Sequence, residues 1–236
     1  REAGADLIPE RAVDVHVDAV SVAVSTRQRR WRGRYLIGAD GASSLVRRRL
    51  HAPLPPSHWS LASGVFAAGA SSREIVVRFV RQPPGYIWSF PRPDHLAIGI
   101  CAPADRTTAA DLRSHLARWL AGQRLAPGCA TAQYSWPIPS MPMQAWADGI
   151  PVGPRWLLAG DAAGLVDPLT REGIYYALRS GELAADALLG TDADPSRAYA
   201  NAAQAELSSE LALSAKARGT FFSPLVTRLW IDVLRE

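Results

Sequence analysis

The chain has 236 residues, of which 48% are hydrophobic and 20% are charged, and its formal net charge is +4. This length allows a hydrophobic core, and this balance excludes an intrinsically disordered protein. No apolar run approaches the ~20 residues that a membrane-spanning helix needs. The basic residues are all arginine except Lys216, which indicates a bias in coding composition rather than a nucleic-acid surface.

The two cysteines, Cys101 and Cys129, lie far apart and outside any CxxC or Cys-His spacing. The sequence therefore predicts neither a metal site nor a disulfide framework, and a cytoplasmic protein is the natural expectation. A basic stretch at 27–34 lies between two strand-like runs and predicts a solvated hairpin. Contact with an anionic membrane surface or a diphosphate head group is the alternative.

The N-terminal region predicts strands, because valines alternate at period two in 13–17 and in 20–24. A further apolar strand, Tyr35-Leu36-Ile37, runs into a turn with Asp40 and Gly41 and continues to Arg47. Asp40 is either a carboxylate beside a ligand or the acid of an ordinary Asp-Gly turn. Arg47 either lies near the same ligand or is the first of three surface arginines.

The middle of the chain predicts an antiparallel sheet with one helix. Strand-like runs separated by tight turns occupy 64–69, 74–81, 86–90 and 96–101. The helix spans 107–121, with Thr107 or Thr108 as its N-cap. Tyr86, Trp88 and Phe90 alternate and so share one face of a strand. That face is either the wall of a pocket for a prenyl chain or aromatic ring, or part of an ordinary core.

The stretch from Trp156 to Ala177 is the most informative in the sequence. An apolar strand ends on Gly160-Asp161, and a loop with Pro168 leads into a helix over 172–189. One carboxylate and several backbone N–H groups near a helix N-terminus suit a polar, hydroxyl-bearing, partly anionic ligand. The alternative for Asp161 is a turn aspartate that bonds its own backbone.

These segments resemble the FAD-binding flavoprotein superfamily of aromatic hydroxylases, halogenases and geranylgeranyl reductases. Residues 35–48 resemble its DG fingerprint, and 156–177 resemble its GD fingerprint. The run Pro84-Gly85-Tyr86-Ile87-Trp88-Ser89-Phe90-Pro91 is similar to the YxWxFP stretch of the geranylgeranyl reductase branch. The resemblance covers 35–189 and implies FAD as the cofactor.

The resemblance also implies an α/β fold class with α+β elements. Residues 1–52 and 151–189 would form parts of a Rossmann-like FAD-binding domain. Residues 53–150 would form an inserted antiparallel-sheet substrate domain, and 190–236 a C-terminal helical region. The strand–GxGxxG–helix unit that opens such domains is not found here. We therefore expect an N-terminally truncated chain that binds FAD weakly by itself and aggregates.

Residue roles follow from the same resemblance. The implied cofactor-binding residues are Asp161, Gly160, Ala162, Gly164, Pro168, Gly173, Ile174, Asp40, Gly41 and Arg47. Asp161 would accept ribityl hydroxyls, the N–H groups at Gly173 and Ile174 would face the flavin pyrimidine edge, and Asp40, Gly41 and Arg47 would lie near the pyrophosphate. Tyr86, Trp88 and Phe90 would line the substrate site. Arg171 replaces the first glycine of the common GEG pattern, and either adds positive charge near the isoalloxazine or points to solvent.

The implied function is an FAD-dependent oxidoreductase that reduces a polyprenyl C=C bond by hydride transfer from reduced flavin. A small-molecule or prenyl-lipid substrate, NAD(P)H or ferredoxin as electron donor, and peripheral membrane contact would go with it. The five histidines pair with no acid or nucleophile in sequence, so the catalytic residues are unknown. A monooxygenase or halogenase on the same framework is one alternative. An inactive fragment or non-enzymatic domain is the other.

Overall fold

The computed structural model describes residues 4–123, 125, 128–129 and 131–221. The chain forms two compact units, each assembled from separated segments. Unit 1 comprises Arg1–Pro53, Asp148–Leu165 and Gly173–Ser209, and unit 2 comprises Leu54–Ala147, Val166–Glu172 and Glu210–Glu236. The domain boundaries expected from the sequence stay a prediction.

The described residues contain both strands and helices. The strands are β1 (Asp14–Val17), β2 (Val22–Ser25), β3 (Arg30–Gly33), β4 (Leu36–Gly38), β5 (Trp59–Ala68), β6 (Val76–Arg81), β7 (Pro84–Pro91), β8 (His95–Pro103), β9 (Thr131–Pro139), β10 (Val152–Gly153) and β11 (Trp156–Leu158). The α-helices are α1 (Leu45–Leu50), α2 (Ala109–Gln123), α3 (Ile174–Leu189), α4 (Pro195–Ala203) and α5 (Ser209–Phe221), with a π turn, Gln204–Ser208, between the last two.

Unit 1 contains two small sheets. The antiparallel sheet β1-β2-β3 buries Val15 and Val22 on one side, while the four residues of β3 are exposed. The arginine-rich stretch thus forms the turn and second strand of a solvated hairpin, as predicted. The other sheet has the order β10-β11-β4, and its β11 runs parallel to β4. Tyr199 of α4 is fully buried and donates its hydroxyl to the Leu158 carbonyl at 2.6 Å.

Unit 2 contains an antiparallel sheet of five strands in the order β6-β7-β8-β5-β9. One face of this sheet carries Ile87, Ile98 and Ile100, which form a buried core with Leu112 and Leu116 of α2. Thr108 and Asp111 form a capping box at the start of α2, because each side chain accepts the backbone N–H of the other. The predicted sheet, helix and Thr108 cap are confirmed.

Several bounds differ from expectation: α2 spans Ala109–Gln123 rather than 107–121, and β5 begins at Trp59 rather than at residue 64. Helix α3 begins at Ile174 rather than at residue 172, because Gly173 has the non-helical backbone of an N-cap. The helical prediction for the C-terminal region is confirmed through Phe221, whereas 222–236, including a short apolar helix expected at 224–234, lie outside the described residues. Over the described residues, no helix combines the length and hydropathy needed to cross a bilayer.

Candidate functional site

Two acidic turns follow the parallel strands β4 and β11 of unit 1. Gly38 and Leu158 are register partners at the ends of these strands, and Asp40 and Asp161 come two and three residues later. A Cβ added at Gly38 would lie 2.7 Å from a Leu158 methyl group, so these strands pack without room for a side chain there. The carboxyl ends of parallel strands form the edge at which α/β sheets bind ligands.

The turn after β11 is tightly specified by Gly160. This residue has φ +54°, and a Cβ on it would approach the Ala177 Cβ to 3.1 Å. Its N–H donates to Ser180 Oγ at 2.9 Å, and its carbonyl accepts the N–H groups of Ala163 and Leu165. Gly164 also has a positive φ, +83°. The close approach of α3 therefore requires glycine at 160.

Asp161 presents a carboxylate with unused acceptor capacity. The side chain is half-buried, and its own backbone N–H is the sole hydrogen-bond donor to it among the described residues. Burial raises the pKa of this carboxyl above its ordinary value. Such a group is stabilised when a hydroxyl donates a hydrogen bond to it, and the ribityl role expected of Asp161 stays a prediction.

The N-terminus of α3 also lies in unit 1. Gly173 is the N-cap and provides no side-chain hydrogen bond, and Ile174 is 74% exposed. The first N–H groups of a helix have no intrahelical acceptor, and they carry the positive end of the helix dipole. Because α3 contacts Gly160 through Ala177, this helix and the 160–164 turn form one local arrangement of N–H donors and a carboxylate.

Asp40 is engaged with its own helix. One oxygen accepts Ser44 Oγ at 2.5 Å, and the other accepts the N–H groups of Leu45 and Val46 at 2.6 and 3.2 Å. Its carboxylate thus satisfies the N-terminus of α1. Gly41 has φ +75°, which explains glycine at that turn position. The cofactor roles of Asp40 and Gly41 stay predictions.

Arg47 is buried and connects α1 to the acidic turn after β11. Its guanidinium donates to the Ala162 carbonyl and to the Ala52 carbonyl, each at 3.0 Å. Burial lowers the pKa of Arg47. Arg47 is therefore not a surface arginine, and its bond to Ala162 fixes the backbone beside Asp161. Proximity of Arg47 to a pyrophosphate stays a prediction.

The loop Val166–Glu172 belongs to unit 2 and contains Pro168, which is buried. Asp167 closes it by accepting the N–H groups of Leu169 and Thr170. Arg171 has φ +65°, the left-handed conformation that glycine adopts most readily. Its guanidinium donates to Ser60 Oγ at 2.9 Å and to the carbonyls of Pro168 and Leu169, so the side chain does not point to solvent.

The second face of the unit 2 sheet is aromatic. Tyr86, Trp88 and Phe90 are half-buried on it, while the intervening Ile87 and Ser89 face the core. Trp88 lies opposite Gly99, which lies opposite Gly64, which in turn lies opposite Tyr134. A Cβ at Gly99 would come within 2.3 Å of the Trp88 ring, so the rings cover a row of bare backbone.

This aromatic face is partly open. Phe66 stacks on Tyr134 with ring centroids 4.6 Å apart and is 41% exposed, and Trp136 is 64% exposed. Tyr86 donates its hydroxyl to the Thr170 carbonyl, and burial raises its pKa. The face thus differs from the fully buried side of the sheet, although its substrate role stays a prediction.

Sequence reasoning did not identify Ser180, Gly64, Gly99, Phe66 and Tyr134. Ser180 holds the N–H of Gly160 from 20 residues away, and no local pattern signals that contact. Gly64, Gly99 and the rings that lie on them, Tyr134 and Trp88, come from four separate strands. Only the strand register brings them into one row.

Comparison with known proteins gives consistent matches. A model of the FAD binding domain family matches residues 10–188. The chain is 36% identical over 106 residues to a menaquinone reductase of Mycolicibacterium smegmatis, covering 44% of this chain and 26% of that protein. It is 32% identical over 162 residues to a geranylgeranyl diphosphate reductase of Rhodobacter capsulatus, covering 66% of this chain and 40% of that protein.

A solved structure of a geranylgeranyl bacteriochlorophyll reductase-like protein from Thermoplasma acidophilum superposes with a TM-score of 0.79 at 20% identity. The match covers 94% of this chain and 60% of that one. The chain thus spans two-fifths or less of the two curated relatives described above. These matches confirm the α/β fold class and the resemblance to geranylgeranyl reductases.

Proposed function

Because the chain belongs to the FAD binding domain family, with FAD as its cofactor, we propose that the protein is an oxidoreductase that reduces C=C bonds of a polyprenyl group. The observation that carries the proposal is the aromatic face of unit 2. Tyr86, Trp88 and Phe90 lie on it together with the glycine row, and an extended apolar chain would find a flat, weakly hydrated surface there.

The residues of unit 1 fit FAD. The carboxylate of Asp161 has free acceptor capacity, Gly160 and Gly164 leave backbone uncovered, and the N-terminus of α3 has N–H groups to donate. When bound, FAD would supply the hydride that the C=C bond receives. A helix N-terminus stabilises nearby negative charge by ~0.3–1 kcal/mol or more when shielded. The residues at Gly173 and Ile174 would thus favour the reduced, anionic form.

The chain's own contribution is to position the substrate. Tyr86 is tied to the Thr170 carbonyl, so its ring cannot swing away from the sheet. Arg171 is tied to Ser60 and places its charge on the loop 166–172. The relatives named for the reduction of geranylgeranyl diphosphate and of menaquinone support a prenyl-bearing substrate.

Two experiments test this proposal. The first compares FAD retention through gel filtration for the native chain, for Asp161→Asn, and for Asp192→Asn as an exposed acid of the same unit. Hydrogen bonds to a charged group contribute ~1.5–3 kcal/mol, so D161N should weaken FAD binding about tenfold or more, and D192N should not. Equal retention in all three proteins would remove Asp161 from the FAD site.

The second experiment reduces the flavin chemically without oxygen and adds a polyprenyl substrate. Mass spectrometry should show a gain of two hydrogen atoms per reduced bond. Oxygen uptake tied to turnover would instead indicate the monooxygenase or halogenase alternative. A colourless protein that takes up no FAD would favour the non-enzymatic alternative for the chain alone.

A further inference from the structure

Unit 2 contains a cavity of about 310 Å³ that is rich in arginine. Its lining includes Arg106, Arg171 and Arg218, with Asp105 as its one carboxylate and Trp59 as an aromatic wall. The rest of the lining, which comprises Ser57, Pro84, Pro103 and Gly219, is uncharged, so positive charge exceeds negative charge in this cavity. Such a lining favours a ligand with more than one negative charge.

Two of these arginines are held in place and still have donors to offer. Arg171 uses Nε and Nη1 on Ser60 and on two loop carbonyls. Arg218 uses Nη1 on the carbonyl and hydroxyl of Ser140, at 3.1 and 2.6 Å. Within the described part of the chain, the Nη2 groups of both have no hydrogen-bond partner. Fixed guanidinium groups bind phosphate oxygens with little loss of side-chain entropy.

The electrostatics agree with that geometry. Burial lowers the pKa of Arg218, and the charge of Arg171 lowers it further, while Asp105 opposes both effects. The two guanidinium groups therefore repel each other across the cavity. An anion between them would relieve that repulsion. Arg106 is exposed, and its side chain has no hydrogen bond or ion pair among the described residues.

Part of the cavity lining, Pro84 and Pro103, lies on the same side of the sheet as the aromatic rings. Ser60 and Pro103 are direct register partners, and Cys101, two residues before Pro103, is the partner of Tyr86. Because side chains alternate along a strand, Ser60, Pro103 and Tyr86 share one face. The aromatic strand β7 begins at Pro84, which is itself part of the cavity lining.

We infer that this cavity binds the phosphate or diphosphate head group of the substrate whose apolar chain lies on Tyr86, Trp88 and Phe90. The inference rests on the proposed function and selects among its substrates. An anionic prenyl phosphate would fill both regions, whereas a neutral quinone head would leave the three arginines with Asp105 as their one counter-charge in the cavity lining. It also assigns the anion to unit 2 and not to the arginine-rich hairpin of unit 1.

The test measures binding by calorimetry with saturating FAD present, so that any FAD diphosphate site is filled. The probes are geranylgeranyl diphosphate, geranylgeraniol and inorganic diphosphate. The variant is Arg106→Gln, and the control is Arg113→Gln, an exposed arginine of α2 outside the cavity. We expect R106Q to weaken binding of geranylgeranyl diphosphate at least fivefold, with R113Q unchanged and geranylgeraniol insensitive to both variants.

Geranylgeranyl diphosphate should also bind more tightly than inorganic diphosphate, because the chain adds apolar contact. Equal affinity for these two probes would identify the free anion as the ligand and overturn the substrate assignment. Equal effects of R106Q and R113Q, or no binding of any diphosphate, would overturn the site itself. In that case, reduction of a prenyl C=C bond of neutral menaquinone would still support the proposed function. Conversely, diphosphate binding without any C=C reduction would support the anion site and contradict the proposed function.

Discussion

At the scale of single residues, Gly160 meets two independent constraints. Its backbone is left-handed, with φ +54°, and α3 approaches so closely that a Cβ would contact Ala177 at 3.1 Å. Gly181, inside α3, has neither constraint, since nothing lies within 4 Å of a Cβ built on it. The two glycines form a matched pair within one unit.

We expect Gly160→Ala to lower the free energy of unfolding by about 1–3 kcal/mol, from the left-handed backbone and the crowded methyl group. Gly181→Ala should raise it by about 0.5–1 kcal/mol, because alanine is favoured over glycine inside a helix. Urea unfolding of both variants measures these differences. A neutral G160A variant would mean that the turn shifts away from α3 at little cost.

The two acidic turns show that a strand followed by an aspartate does not by itself predict the role of the carboxylate. Both Asp40 and Asp161 follow an apolar strand in the sequence, but their surroundings differ. Helix α1 begins at Leu45, close enough for Asp40 to cap it, whereas α3 begins thirteen residues after Asp161. The Asp40 carboxylate therefore accepts hydrogen bonds from its own helix, and the Asp161 carboxylate can still accept hydrogen bonds from a ligand. Only the distance to the next helix distinguishes them, and the sequence predicts it approximately.

At the scale of elements, Arg47 connects α1 to the turn after β11. It reaches across 115 residues of sequence to the Ala162 carbonyl, and it also binds the Ala52 carbonyl that follows α1. A buried charge with two backbone acceptors holds one geometry. The link determines where the backbone next to Asp161 lies.

We expect Arg47→Met to lower the free energy of unfolding by about 2–4 kcal/mol, because the buried Ala162 carbonyl and the partly buried Ala52 carbonyl lose a charged donor. Arg49, two residues along α1, forms an exposed ion pair with Asp14 at 3.0 Å and is the control. Arg49→Met should cost under about 1 kcal/mol. Thermal unfolding gives both values, and FAD retention should fall in the first variant alone. A stable R47M protein with weak FAD binding would place Arg47 at the cofactor instead.

Periodicity predicted the elements whose two faces differ. Strand β7 alternates aromatic residues with buried ones, and α2 has buried Leu112 and Leu116 on one side. The sequence predicts β3 only as part of a hairpin, because all four of its residues are exposed and show no alternation of apolar and polar residues. The start of α3 was misplaced because Gly173 gives no side-chain cap from which to fix the boundary.

At the scale of the whole molecule, each unit carries a histidine with a lowered pKa. Burial lowers the pKa of His51 in unit 1, and Arg47 adds to this. Burial lowers the pKa of His115 in unit 2, with Arg118 and Arg78 adding to it. A base whose folded pKa is lowered takes up its proton first in the unfolded chain. The associated stability is present above the ordinary value of 6.5 and is lost as pH falls through the folded pKa values.

We therefore expect the free energy of unfolding to decrease when pH is lowered from about 7.5 to about 5. The raised pKa of Asp161 acts in the opposite direction in the more acidic range. A double variant, His51→Gln with His115→Gln, should flatten the decrease, and His16→Gln, an exposed residue of β1, should not. Urea titrations at several pH values give the profile. A profile that the double variant leaves unchanged would assign the acid sensitivity to other groups.

No linear sequence pattern predicts which segments of the chain form each unit. Residues 166–172 belong to unit 2 while the segments on both sides belong to unit 1, and α5 contributes to unit 2 from the far end of the chain. No composition change marks these junctions. The resemblance to known flavoproteins suggested an interleaved order, and the exact segments depend on contacts distant in sequence.

Gly64 and Gly99 lie beneath the rings of Tyr134 and Trp88 on the aromatic face. Where a ring rests on bare backbone at Gly64 and Gly99, the contour of the surface is a property of the ring alone. Exchanging one aromatic side chain for a smaller one would lengthen or deepen the groove without disturbing the sheet. If the proposed prenyl substrate lies on this face, single substitutions of these rings would change the chain length that it accepts, and the sheet would not need to adapt.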